Sequence, residues 1–285
     1  MSTYYAQATA NWNAANQWNT AANGSGSYGT PTTGDVCYAN GFTVTINSSG
    51  ISVGQIRTDA GSGTAGGGFK ITATGYTFTG DCYAGTTTCL IVTAASGTTT
   101  LNSSGYGSTT TGSIAAIQLN AASTLNVTGN ISAGSFSAAS GISNTNATGT
   151  INITGNVTGG GASTAYGASN SFGGTITVSG NATGGTYVTA YGANNNSTGT
   201  VTVSGNAVSS STTAGINGVA SGGKTQVGGI DCSSGFSATA GYVTLIPGAG
   251  NFAKYLNSTT GTTTLVPSGG SSATPNVGIK TGGRL

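Results

Sequence analysis

Apolar and polar residues alternate along this chain in short runs, and one run keeps returning. TLNVTGN begins at Thr124, TINITGN at Thr150, TITVSGN at Thr175 and TVTVSGN at Thr200, at spacings of 26, 25 and 25 residues. In each copy the second and fourth positions are aliphatic: Leu125/Val127, Ile151/Ile153, Ile176/Val178 and Val201/Val203. Side chains of a strand alternate faces, so these pairs point inward and the Thr, Asn and Ser between them point out. Gly-Asn follows each run, at 129–130, 155–156, 180–181 and 205–206, and predicts a corner. Gly supplies an unusual backbone angle there and Asn tolerates it. A small or apolar residue comes next (Ile131, Val157, Ala182, Ala207), then a third short strand expected over 139–142, 165–168 and 190–193. Each period therefore holds three faces and three turns.

One such coil cannot bury its apolar side chains alone. Copies stacked edge to edge, about 4.8 Å apart, share a core. The pattern predicts an all-β fold: a right-handed parallel β-solenoid with coils of about 25 residues. Alternation also marks strands upstream, at Phe42/Val44/Ile46, Ile51/Val53, Phe69/Ile71, Tyr76/Phe78 and 89–92, around a Gly-rich loop at 59–68. About eight coils between residues 35 and 245 would make a rod of roughly 40 Å. After Gly223 the repeat decays, and the apolar runs at 241–247 and 262–267 each end in Pro, which blunts further pairing.

Three regions follow: a segment 1–34, the solenoid 35–247, and terminal strands with an extended C-terminal arm, 248–285. Segment 1–34 holds both tryptophans of the chain. It is either an irregular cap over the first coil or a docking segment, with Tyr4, Tyr5, Trp12 and Trp18 as the docking residues. An open solenoid end exposes core and unpaired backbone, so some cover is required.

Composition narrows the chemistry. The chain carries six basic and four acidic residues, no His and a net charge of +2. That offers no electrostatic footprint for nucleic acid. No apolar run reaches the length of a membrane span, and the first residues lack the basic and apolar regions of a secretory signal. The acids are Asp35, Asp59, Asp81 and Asp231, with no Glu. Acid–base catalysis would need two of them together; Asp59 and Asp81 are the candidates, though both also read as turn residues. Cys37, Cys82, Cys89 and Cys232 read as small buried apolar residues, with Cys82 and Cys89 near enough in sequence to close a local loop. Without His or a CxxC pair, no metal or other cofactor is expected. The chain is expected not to be an enzyme.

Repetition places like residues on neighbouring coils. Asn130, Asn156, Asn181 and Asn206 are expected to form a structural ladder of side-chain amides. Tyr166 and Tyr191 share one repeat position and should stack outward, with Tyr187 in the preceding turn; such aromatics suit glycan or protein contact. Threonine columns on the first face also resemble those of ice-binding solenoids, but Asn126 and Asn152 interrupt them.

The paired tryptophans, PTTGDVCYANGFTVTI (31–46), IRTDAGSGTAGGGFKI (56–71) and DCYAGTTTCLIV (81–92) resemble β-solenoid virion structural proteins of tailed bacteriophages, over about residues 1–100. The resemblance implies a non-enzymatic component on the particle exterior, most directly a capsid decoration or cement protein. Its partners would be the major capsid protein or tail proteins, or further copies of itself, a trimer among the options. It carries over no catalytic residue. The alternatives are a tail fibre or tail spike that binds a host surface glycan, and a secreted bacterial adhesin or surface-layer protein found outside the cell.

Overall fold

The computed structural model describes residues 1–208 apart from 110–113, 137, 188 and 197, together with the strands Ile216–Gly218, Lys224–Asp231 and Tyr242–Leu245; side chains are described as far as residue 205. Among the described residues every regular element is a strand. They form a 16-stranded and a 9-stranded sheet, and apart from one pair at the N-terminal end every strand pairing is parallel. The chain is a parallel β-solenoid with three strand columns.

The first face stacks Thr98–Asn102, Thr124–Thr128, Thr150–Thr154, Thr175–Val178 and the start of Thr200–Val208. Thr124 pairs with Thr150, Thr150 with Thr175 and Thr175 with Thr200, so the heptapeptides lie in register. The second face stacks Gly105–Tyr106, Ile131–Ser132, Val157–Thr158 and Ala182–Thr183. The third stacks Ala115–Leu119, Ser140–Asn144, Tyr166–Asn170, Ala193–Asn195 and Ile216–Gly218. Long strands at Ile51–Arg57, Thr77–Tyr83 and Thr200–Val208 each serve the first and second faces. In the first and last of these the register shifts at the bend.

The core is one continuous column whose width changes along the axis. At the N-terminal end it is aromatic: Trp12, Trp18, Phe69 and Phe78 are all essentially buried. Their rings lie 4.6–6.4 Å apart between centroids. In the repeats it becomes aliphatic and then small. On the third face the inward position runs Leu90, Ile117, Ile142, Ala168, Ala193.

Two expectations change. Residues 1–34 do not stand apart from the solenoid. Thr3–Ala6 joins the second-face column beside Val36–Tyr38, and Ala10–Asn11 opens the nine-stranded sheet beside Thr43–Ile46. The cover is supplied by Trp18–Asn19, which pairs antiparallel with Thr3–Ala6 and closes that edge. The third strand also sits further along than expected, at Ser140–Asn144, Tyr166–Asn170 and Ala193–Asn195. Each ends on a buried asparagine, Asn144, Asn170 or Asn195. The carboxamide of each donates back to a glycine carbonyl, Gly149, Gly174 or Gly199, at 2.8–2.9 Å. That bond closes the turn into the next heptapeptide and satisfies a polar group that burial would otherwise penalise.

The corner glycines are needed for space more than for angle. A Cβ on Gly129, Gly155, Gly180 or Gly205 would sit 2.1–2.5 Å from a backbone oxygen of the preceding coil. Gly129 and Gly155 have positive φ, but Gly180 and Gly205 do not, and none of the asparagines that follow them does. Glycine is there because two backbones touch. Gly155→Ala, whose Cβ would meet the Gly129 carbonyl oxygen at 2.1 Å, is expected to lower unfolding stability by about 1–3 kcal/mol. Gly173→Ala, whose nearest atom would be 3.2 Å away, should cost less than half of that, as read from urea midpoints.

Candidate functional site: plugged end, side-chain ladders and acids

The four residues offered as cap or docking contacts are mostly inside. Trp12 and Trp18 are each 2% exposed. Trp18 Nε1 donates to the Trp12 carbonyl at 3.0 Å, and both rings pack on Phe69. They plug the first coil, because the wide N-terminal core needs large side chains to fill it. Tyr5 is buried as well; its ring stacks on Tyr38 at 5.1 Å and its hydroxyl bonds Ser62 at 2.6 Å. Only Tyr4 of the four is half-exposed, and it too rests against the core.

The asparagine corner forms a ladder in which the backbone does most of the bonding. Asn130 Oδ1 accepts from the Asn156 N–H at 3.0 Å and from its Nδ2 at 3.3 Å. Asn156 Oδ1 accepts from the Asn181 N–H at 2.8 Å. The Asn206 side chain lies outside the described residues. A second amide rung joins Asn152 to Asn126 at 2.9 Å on the first face.

Tyr166 and Tyr191 stack on neighbouring coils, with centroids 6.0 Å apart and planes 13° from parallel. Tyr187 occupies the preceding turn and is 48% exposed. The equivalent turn two coils earlier carries Phe136, also exposed.

One ladder has no counterpart in the expectations above. Register aligns Tyr5, Tyr38, Arg57, Tyr83 and Tyr106 on the second face. Tyr83 stacks on Tyr106 at 4.4 Å. The Arg57 guanidinium lies 4.7 Å from the Tyr83 ring centre and 5.7 Å from that of Tyr38, a cation held between two π faces. Asp59 pairs with it through Nε and Nη2 at 2.8 and 2.9 Å. Hydrogen bonding to Asp59 raises the Arg57 pKa further, whereas burial raises those of Tyr38 and Tyr83. The repeated Cys-Tyr dipeptides at 37–38 and 82–83 were the sequence signal for this column.

The described acids are each engaged by the scaffold. Asp35 accepts from the Ser2 and Thr32 N–H groups and from the Thr32 hydroxyl. Asp81 accepts from the Ser104 N–H at 2.9 Å. Register sets Asp81 opposite Gln55, whereas Asp59 lies beside Gly85. The two are therefore not partners in register, and the Asp59 carboxylate is held by Arg57 instead. The Asp231 side chain lies outside the described residues. Cys37, Cys82 and Cys89 are free and buried, and burial pushes the Cys37 and Cys89 thiols well up, away from reactive thiolate; Cys232 lies outside the described residues. Among the described residues no cluster of three or more metal-ligating side chains occurs, and no helix is long and apolar enough to cross a membrane. The chain matches no family model, no curated protein and no solved structure.

Two outcomes follow. Tryptophan emission of the folded chain should be blue-shifted and shielded from acrylamide, and emission typical of solvent-exposed indole would contradict the plug. Burial pushes the Asp35 carboxyl up, but its hydrogen bonds outweigh this and hold it below its ordinary 3.8. Its stabilising contribution is therefore present above that value and lost as pH falls through the lower folded one. Asp35→Asn should flatten the acid limb of a plot of urea midpoint against pH.

Proposed function

We propose that the chain is a non-enzymatic structural rod on the outside of a bacteriophage particle, serving as a capsid decoration. The observation that carries this reading is the unbroken solenoid, plugged at its N-terminal end, in which the described acids are spent on backbone amides or on Arg57. Such a body supplies stiffness and surface, with no described side chain poised for acid–base chemistry. The phage setting rests on the resemblance of residues 1–100. The partner is then the major capsid protein. With the tryptophans buried, attachment falls to the surface around the plug, where Tyr4 and the exposed Tyr28 lie, and to the C-terminal arm, 248–285, which lies outside the described residues. The rod is displayed on the virion surface.

Quantitative mass spectrometry of gradient-purified particles, measured against the capsid protein, tests this. Hundreds of copies per particle are expected. A few to a few tens would move the protein to the tail, and absence from particles would overturn the reading.

A further inference from the structure

Two of the buried cysteines meet inside one coil. Cys82 is the last inward residue of Thr77–Tyr83, and Cys89 directly precedes Leu90–Val92, so the corner 83–88 carries the chain from one thiol to the other. Neither has any exposed surface. The Cys89 thiol donates to the Ile56 carbonyl at 3.2 Å, and Ile56 is the register partner of Cys82. It also bonds the Tyr83 N–H and the Cys82 thiol itself. These contacts set the Cys89 sulfur against the Cys82–Tyr83 backbone and against the Cys82 sulfur. The Cys82 sulfur lies 3.3 Å from Ser103 Oγ, which also donates to the Ser104 carbonyl at 3.1 Å, so Ser103 keeps a partner if that sulfur turns away.

The pairing is selective. Cys37 aligns with Ile56, and Ile56 with Cys82. Cys37 and Cys82 therefore stand two coil spacings apart, roughly 10 Å, beyond the reach of a disulfide without backbone movement. The corner between Cys82 and Cys89 is otherwise held by hydrogen bonds to the coil before it: Thr58 Oγ1 accepts from the Gly85 N–H and donates to the Thr87 carbonyl, both at 2.8 Å.

We propose that Cys82 and Cys89 form a redox-dependent staple, a dithiol in a reducing medium and a disulfide in an oxidising one. The staple goes beyond the structural role and does not depend on where the rod is mounted. With glutathione disulfide as oxidant, one cysteine thiolate attacks a glutathione sulfur and releases a glutathione thiolate, leaving a mixed disulfide. The other cysteine thiolate attacks the cysteine sulfur of that mixed disulfide, forms the Cys82–Cys89 bond and releases the second glutathione. Two protein thiols are oxidised, one glutathione disulfide is reduced to two glutathiones, and the two thiol protons pass to them. Burial in the finished coil keeps the thiols protonated and sealed from glutathione, so the exchange takes place in the folding chain or in a coil that has opened. Closing this loop restricts the unfolded chain and so favours the folded one.

The test unfolds the full chain in urea and refolds it in a mixture of glutathione and glutathione disulfide, and in parallel with a phosphine reductant. Chymotrypsin cuts after Tyr83 and separates the two cysteines unless they are joined. A joined Cys82–Cys89 peptide is expected from the first sample and none from the second. The linkage should persist in the Cys37→Ala chain, whose oxidised form should unfold at a higher urea midpoint than its reduced form. Cys89→Ala should abolish that difference. Free thiols throughout the glutathione-refolded chain, linkage of Cys82 or Cys89 to Cys37 or Cys232 in place of each other, or equal midpoints for the oxidised and reduced Cys37→Ala chains would each overturn the proposal. Particle copy number is read on a different sample, so the staple and the capsid reading fail separately.

Discussion

The structure depends on how closely one coil's backbone can lie on the next at the corners. Strands in neighbouring coils pair only if their ends also stack near the strand spacing, about 4.8 Å. At a corner, carbonyls and Cα atoms of successive coils meet head-on, and a side chain there would occupy the contact. Glycine columns at 129/155/180/205, 134/160/185 and 149/174/199 keep that contact free. Each places the position of a missing Cβ within 2.8 Å of a backbone oxygen of the preceding coil. Once the corners touch, the three faces have no freedom to slip, because a shift of one residue would turn the inward aliphatics outward.

In-register stacking then sets everything else. Like residues meet like residues, so asparagines bond along the Asn130–Asn156–Asn181 corner and across Asn126–Asn152. Aromatics stack as Tyr83–Tyr106 and Tyr166–Tyr191. Each coil contacts mainly its neighbours, so stability accumulates along the axis and the ends are the weak points. The N-terminal end meets this with its widest core and bulkiest side chains, Trp12 and Trp18, under an antiparallel strand pair. Beyond it the inward side chains become smaller, down to Ala168 and Ala193 on the third face.

The first face was fully legible in the sequence. Its alternation is strict, its spacing is nearly constant, and the inward Leu125/Val127 pair and its copies are buried as the pattern predicts. The third face was less legible because in its later coils the inward residues are Ala and Asn, such as Ala168, Asn170, Ala193 and Asn195, which carry no hydrophobic signal. Asn144, Asn170 and Asn195 look like turn residues, yet each is buried and donates to a glycine carbonyl. The tryptophans left two readings open, since an aromatic cluster ahead of a repeat fits a docking surface as well as a plug. Only a three-dimensional core too wide for aliphatic filling decides between them. The Tyr–Arg57–Tyr column was hidden by uneven early coils. The pairs Tyr5/Tyr38, Tyr38/Arg57 and Arg57/Tyr83 lie at unequal sequence spacings and align only through the register of the sheet.

The fold stands on parallel, in-register coils, and a distance series along one outward column measures that most directly. Thr77, Thr100, Thr177 and Thr202 share such a column, with Asn126 and Asn152 between Thr100 and Thr177. Spin labels on paired Thr→Cys substitutions at 100/177, 77/177 and 77/202 should give electron–electron distances near 14, 19 and 24 Å, rising by about 4.8 Å per coil. Distances that fail to rise with coil number, or that fit an antiparallel sandwich, would contradict the solenoid and all that is built on it.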